Sequence, residues 1–375
     1  IFVLLLTFLF IPNVNAKDLT AVEYIQKIAD DAGGDKNSID VIGNTNLAYD
    51  GTVDKNLRYV GETPNNYIYF NDELWRIIGV MNNVEDESGN HSSYLKIVRN
   101  EPIGAYSWDK SIPSINYGYG VNEWSTSLIN KLLNPGNDNT TNPDDETQKV
   151  NNSLYWNRQT GKCVKGYMSY NNRVSKIVDC DFSKTGLKEE SKKLIATVKW
   201  NTGTITSTQI NYWTAYEMEH GDAVKCTYNQ YNCSDEQERT NKFTGKVGMM
   251  YLSDIAFATD GSTVGRQACF NNLLNNYSND CSKGLWFKNN NAVIGNYIWV
   301  MNTYNLYNNV FNFDRYRYSF NSPHNANSVF PALYLNTTTK IVNGTGTLNN
   351  PYVLKEESYV NKENIVEKVN GKYKG

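Results

Sequence analysis

Histidine is scarce in this chain: its 375 residues include only His91, His220 and His324, far apart from one another. Zinc centres need Cys and His at close spacing, such as Cys-x2-Cys, so no metal is expected. An excess of charge of one sign is also missing. Lys and Arg number 36 against 39 Asp and Glu, a net charge of -3. There is no basic stripe to neutralise phosphates, which excludes nucleic acid as a partner. Beyond residue 16 no apolar run approaches the roughly 20 residues that a membrane-crossing helix needs, so the mature chain is expected to lack a stable membrane span. Also missing are a nucleophile elbow, a His-Glu-x-x-His pair and a phosphate loop. No cofactor and no catalytic residues are implied.

What is present begins with an address. Ile1 to Ile11 is almost wholly apolar, and Pro12 and the small-residue end Val14-Asn15-Ala16 follow. This is the h-region and cleavage site of a secretory signal peptide. Residues 1–16 are expected to be removed after Ala16, the basic n-region lying upstream of residue 1. The mature chain is then expected to be secreted or held at the cell surface. In an oxidising compartment six cysteines imply disulfides. They fall as three sequence neighbours, Cys163 with Cys180, Cys226 with Cys233 and Cys269 with Cys281. Fifteen pairings are formally open, and sequential pairing is expected because each pair closes a short polar loop. About one residue in seven is asparagine, and there are 27 tyrosines, both above ordinary usage. AT-rich codons and selection for a polar, aromatic surface both account for this.

Three segments follow along the chain. Residues 17–57 read as one helix and an irregular linker: Thr20-Ala-Val-Glu23 is a capping box, and Val22, Ile25, Ile28 and Ala29 keep helical spacing up to Gly33-Gly34. From residue 58 to 355 the pattern is that of one domain. Leu57–Val60, Tyr67–Phe70, Leu74–Val80 and Tyr94–Val98 are short β-branched and aromatic runs, expected as antiparallel strands. Ser125 is the expected cap of a helix with Leu128, Ile129, Leu132 and Leu133 on one face, stopped at Asn134-Pro135-Gly136. Leu194, Ile195 and Val198 predict a second short helix ending near Trp200. Gly245–Tyr251 predicts a strand leading into a helix capped at Ser253-Asp254. Trp75, Trp108 and Trp124 sit among apolar neighbours and are expected in the core. Residues 356–375 form a polar, lysine-rich tail.

Several of these stretches together carry a resemblance. Tyr67-Ile-Tyr-Phe-Asn-Asp-Glu-Leu-Trp-Arg-Ile-Ile-Gly79, Lys96-Ile-Val-Arg-Asn-Glu101, Tyr106-Ser-Trp-Asp109, Asn122-Glu-Trp-Ser125, Lys131-Leu-Leu-Asn-Pro-Gly136, Gly245-Lys-Val-Gly248, Pro331-Ala-Leu-Tyr-Leu335 and Gly344–Leu354 resemble an uncharacterised family of exported proteins from Gram-positive gut bacteria and their relatives. The resemblance spans nearly the whole mature chain. It implies an α+β fold of the C-type-lectin-like kind, with antiparallel strands, a few short helices and long disulfide-stapled loops. That architecture is shared with formylglycine-generating enzymes and retroelement-diversified variable proteins. Phe330 replaces the arginine usual before the Pro-Ala-Leu-Tyr-Leu strand, and Val-Met-Asn-Thr replaces the Ser-Pro that commonly follows the tryptophan, here Trp299.

The segment Asn296 to Asn327 holds nine asparagines and nine aromatics. Aromatic rings offer flat apolar faces and asparagines paired donors and acceptors, a combination that suits sugar rings or protein surfaces. The expected ligand-binding residues are Tyr297, Trp299, Tyr304, Tyr307, Tyr316, Arg317 and Tyr318, presented on a hairpin of Val310–Phe313 and Tyr316–Phe320. The expected function is that of a noncatalytic module whose partner is a glycan or a protein. Two other readings stand beside it. One is a structural surface protein without a small ligand. The other is an enzyme of the formylglycine-generating type, to whose Gly-Asn-Val-Trp the stretch Gly295-Asn-Tyr-Ile-Trp299 is similar. The oxygen-rich loop Asn137–Glu146 lacks EF-hand spacing and is expected to be solvated.

Overall fold

The computed structural model describes residues 19–110, 120–136, 150–165, 175–206, 210–221, 241–273, 281, 285–287, 297–304, 309–313 and 318–355. Its first half contains α1 (Ala21–Asp31), β1 (Leu47–Tyr49), β2 (Leu57–Tyr59), β3 (Tyr67–Phe70), β4 (Glu73–Glu85), β5 (His91–Arg99), β6 (Ala105–Ser107), α2 (Leu128–Leu133), β7 (Thr160–Lys165) and β8 (Lys176–Asp181). Then come α3 (Glu189–Lys192), β9 (Val198–Asn201), β10 (Thr204–Ile205), α4 (Tyr212–His220), β11 (Lys242–Gly245), β12 (Val247–Gly248), α5 (Leu252–Ala256) and α6 (Arg266–Asn271). The last strands are β13 (Ile298–Tyr304), β14 (Asn309–Phe313), β15 (Tyr318–Asn321), β16 (Ala326–Ser328), β17 (Ala332–Leu335), β18 (Ile341–Asn343) and β19 (Tyr352–Leu354).

This is a mixed α+β fold with mostly antiparallel sheets and short helices. The larger sheet has the order β12-β17-β5-β4-β3-β19-β18, with β2 joined to β4 and β1 to β2. The second has the order β15-β14-β13-β16-β6, and β10 pairs with β13. Strand β4 is the spine of the larger sheet. It pairs with β5 along its length and divides its other edge between β3 and β2. Gly79 makes the β2 crossing possible, since a Cβ there would lie 2.2 Å from the Leu57 carbonyl oxygen.

Helix α1 begins as the sequence predicts. Thr20 Oγ1 accepts the Glu23 N–H at 3.2 Å, the Thr20 N–H donates back to Glu23 Oε2 at 2.8 Å, and Ala21, Ile25 and Ala29 are buried. The expected linker after it is part of the sheet, because Leu47 to Tyr49 pair with Leu57 to Tyr59 and are fully buried. The four early strand runs all form strands. Helix α2 buries the expected leucine face, but its cap is Ser127, whose Oγ accepts the Asn130 N–H at 3.2 Å, and not Ser125. The helix expected through Val198 ends earlier. Val198, Trp200 and their neighbours form β9, a ribbon with β11, because burial alternates with period two from Val198 to Asn201. Gly245–Tyr251 is divided between the end of β11, the two-residue β12 and the cap of α5.

Disulfides join Cys163 to Cys180, across the β7–β8 hairpin, and Cys269 in α6 to Cys281. Cys226 and Cys233 lie outside the described residues, as do residues 1–16 and the tail from 356. No helix among the described residues is long and apolar enough to cross a membrane. Replacing both Cys269 and Cys281 by serine is expected to lower stability by about 3 kcal/mol, the loop-closure entropy of so short a ring. An unchanged urea midpoint would show that the surrounding core, in which both sulfurs are buried, holds the loop without the bond.

Candidate functional site

Of the residues singled out in the C-terminal segment, Trp299, Tyr304 and Tyr318 pack inward. Trp299 is 0 % exposed, its Nε1–H donates to the Tyr106 carbonyl at 2.9 Å, and its ring meets Trp108 edge-on at 6.0 Å. Tyr304 stacks on Phe320 at 5.1 Å, and Tyr318 packs on Phe311 at 5.5 Å; both tyrosines are buried. Tyr297 is half-buried. Tyr307, Tyr316 and Arg317 lie outside the described residues, as does the loop Asn137–Glu146. The β14–β15 hairpin exists, yet all seven positions of β13 are buried. Covered on both faces, β13 commits its aromatics to the core, as Trp75, Trp108 and Trp124 also do. The correction is one of side: a strand packed on both sides carries aromatics without presenting them. Both disulfides take up the cysteines in view, so no thiol is free among the described residues.

Elsewhere the molecule has a polar cleft of about 150 Å³. It lies where the far end of β4, the turn between β1 and β2, the β9–β11 ribbon, α4 and the start of α5 converge. Its foundation is a buried chain of charges. Asp50 shapes the turn, taking the N–H groups of Thr52 and Asn56 on Oδ1 at 3.0 and 3.1 Å and the Arg58 guanidinium on Oδ2 at 2.9 Å. Arg58 donates on to Asp254 Oδ1 at 2.8 Å, and the Lys96 ammonium donates to Asp254 Oδ2 at 2.5 Å. The same Asp254 caps α5 by accepting the Tyr251 N–H at 2.9 Å. One carboxylate thus ties β2, β5 and α5 together.

Lys96 sits in an aromatic cage, its Nζ 4.1 Å from the Tyr251 ring centre, 5.3 Å from Trp200 and 5.4 Å from Tyr334. Burial pulls its ammonium below the usual lysine value even with Asp254 beside it. Burial would raise the Asp254 carboxyl, but Lys96 and Arg58 outweigh it and hold it down. Glu219 of α4 lies behind this pair. It accepts the Ser253 N–H at 3.0 Å and the Asn302 amide at 2.9 Å, and Ser253 Oγ–H also donates to it. Burial nevertheless pushes the Glu219 carboxyl up to about 7.

A carboxyl raised in the folded state keeps its proton where the unfolded chain has lost it. Stability therefore falls as pH rises from about 4.3, the unfolded value, to about 7. Asp109, raised by burial to about 6, adds a slope of the same sign, whereas His220, lowered by desolvation, gives one of opposite sign. The difference between wild type and Glu219→Gln isolates the glutamate. The substitution is expected to remove a loss on the order of 3 kcal/mol across that interval, read from urea midpoints at pH 4.5 and 7.5. Parallel pH profiles for the two proteins would contradict this.

The walls follow from sequence patterns. In β9 the apolar members Val198 and Trp200 point into the core, so Lys199 and Asn201 face the cleft, and pairing of Lys242 with Asn201 puts Lys242 on that same face. Gly248 allows this packing, since a Cβ there would meet the Trp200 ring at 2.7 Å. The β4 bulge between Met81 and Val84 places Asn83 at φ 57°, a left-handed conformation that Asn tolerates. Asn82 Nδ2 then holds the Asp54 and Lys55 carbonyls, and Asn83 Nδ2 donates to Asp54 Oδ1 at 2.9 Å. Tyr216 O–H donates to the other Asp54 oxygen. At the mouth, Glu85 bridges Lys199 and Lys242, and these two ammoniums, Lys199 first, hold its carboxyl down to about 2.

Most polar wall groups are thereby engaged within the protein; among the described residues the Tyr334 hydroxyl is not, nor are two groups on the neighbouring residues Tyr251 and Asn201. The Tyr251 hydroxyl is buried, turned toward the Asn201 backbone, and makes no hydrogen bond of good geometry. The Asn201 carboxamide likewise has no partner among the described residues. Sequence reading misses the cleft because its parts are up to about 280 residues apart in the chain, from Asp54 to Tyr334. The local signals are the alternation Val198-Lys-Trp-Asn201 and the lysine inside the apolar run Tyr94–Val98. Set against protein-family models, curated proteins and solved structures, the chain matches none of them.

Proposed function

We propose that the protein is a noncatalytic binding module, acting outside the cell, whose cleft takes a small polar ligand of the saccharide class. The supporting observation is the pair of unengaged groups on neighbouring residues, the Tyr251 hydroxyl and the Asn201 carboxamide, in a wall most of whose other polar groups are satisfied by its own hydrogen bonds. Buried polar groups are ordinarily paired, and a donor–acceptor hydroxyl beside a two-donor, two-acceptor amide matches the hydroxyls of a sugar ring. The tyrosine rings of positions 216, 251 and 334 supply apolar surface beside them. Fixed charges of both signs line the cleft and are paired with one another, which favours a polar guest over a hydrophobic one.

The lectin-like architecture and the extracellular address belong to the same proposal. Antiparallel sheets with disulfide-bonded loops support the first, and the disulfides together with the apolar leader support the second.

The test is a glycan array followed by titration of any bound sugar against Tyr251→Phe and Asn201→Ala. Each substitution is expected to weaken binding about tenfold, the value of one hydrogen bond of roughly 1.4 kcal/mol, with the fold intact. Binding by wild type that both variants retain would move the site elsewhere.

A further inference from the structure

Reading the cleft as a saccharide site leaves its mouth unexplained, and the arrangement there is specific. Lys199 and Lys242 come from two strands of one ribbon, on the same face, and a single side chain from β4 reaches both. Glu85 gives one carboxylate oxygen to each ammonium, Oε1 to Lys199 and Oε2 to Lys242. The lysines are not needed there to seat the ribbon. Val198 and Trp200 anchor it in the core, the Trp200 Nε1–H donates to the Gly245 carbonyl at 3.2 Å, and four residue pairs join the two strands. Asp86 forms a separate bridge with Val198. Both lysine side chains keep solvent contact, at 29 % and 41 % exposure, and that of Glu85 keeps 16 %. An ion pair so placed contributes little to stability and is open to exchange.

We infer that the ligand carries a carboxylate, as a uronic acid does, and that Glu85 is an internal competitor which this carboxylate replaces across Lys199 and Lys242. The inference rests on the saccharide reading of the cleft and names the class of sugar. The protein itself displays the group that fits, a planar carboxylate shared between two ammoniums, which favours carboxylate over the bulkier tetrahedral sulfate or phosphate ester. The rest of the sugar then lies inward, where Asn201 and Tyr251 are unengaged. Inside the cleft Lys96 and Arg58 are held by the buried Asp254, so the two mouth lysines are the cations a guest can claim. Displaced Glu85 swings to solvent, and the two ammoniums keep one carboxylate between them, so their net charge is unchanged.

The experiment is an NMR titration of the full chain with three matched pairs of sugars, glucose and glucuronate, galactose and galacturonate, mannose and mannuronate. Wild type, Glu85→Gln and the double variant Lys199→Gln/Lys242→Gln are compared. For at least one pair, Glu85→Gln is expected to raise uronate affinity about tenfold, roughly the 1.4 kcal/mol of one removed competitor, while the neutral partner changes less than twofold. The double lysine variant is expected to lose the distinction between the members of that pair. If a neutral sugar binds but no uronate gains from Glu85→Gln, the inference fails and the saccharide reading stands. If neither member of any pair binds to folded protein, both fail. Equal gains for uronate and neutral sugar in Glu85→Gln would mean that Glu85 acts by closing the cleft, and this too overturns the inference.

Discussion

Asparagine in place of Asp254 is expected to destabilise the protein by about 3–5 kcal/mol, the cost of leaving buried charges without their counter-ion. The reason is arithmetic within one network. Asp254 serves Arg58 and Lys96 at once, and each of the three side chains is no more than 2 % exposed. Arg58 retains Asp50 when the carboxylate is lost, but Lys96 keeps only its aromatic cage. An ammonium over tyrosine and tryptophan rings gains about 2 kcal/mol at most from each favourable contact, well short of its desolvation cost. The asparagine also weakens the cap of α5, where a charged acceptor meets the Tyr251 N–H. Urea unfolding followed by tryptophan fluorescence reads the effect. In a Lys96→Met background the same substitution is expected to cost less by up to about 3 kcal/mol, the coupling typical of residues in one network. Equal costs in both backgrounds would mean that the two side chains do not share a charge.

The second large effect separates core from ligand surface in the C-terminal segment. Trp299→Ala is expected to cost about 3–5 kcal/mol of stability, the range for emptying a buried tryptophan site. It also orphans the Tyr106 carbonyl, which the indole N–H satisfies. At temperatures where the variant remains folded, its affinity for any ligand of wild type is expected to stay within about twofold. Tyr251→Phe is expected to show the reverse, since deleting an unpaired buried hydroxyl leaves stability unchanged or raised and removes a contact to the guest. A Trp299→Ala protein of wild-type stability that has lost its ligand would return the site to the segment around β13.

These two residues mark how far the chain is readable. Trp299 is conspicuous because aromatics among asparagines resemble a recognition surface. Composition, however, does not say on which side of a strand another layer lies, and β13 has a layer on each. Local pattern serves better: helical spacing and a capping box place α1, β-branched and aromatic runs place the four early strands, and apolar neighbours place the inward tryptophans 75, 108 and 124. It fails at Val198, where apolar residues at positions 194, 195 and 198 fit a helix as well as a strand. Pairing with β11 decides that case. Residues 47–49 escape a sequence reading because three residues are too few to carry a pattern, and their partner strand completes them. Lys96 is legible only as an anomaly. A lysine within a run that otherwise reads as buried strand predicts a buried partner, but Asp254 is 158 residues away and nothing local identifies it.

The place of recognition is read most directly by assigning the backbone amides of the isotope-labelled protein and following them during titration with a sugar selected from the array. Recognition in the cleft predicts shift changes at Asn82, Asn83, Asn201, Lys242 and Tyr251, with β14 and β15 unmoved. Changes confined to Asn309–Phe313 and Tyr318–Asn321, with the cleft amides silent, would contradict it and place recognition on the C-terminal hairpin.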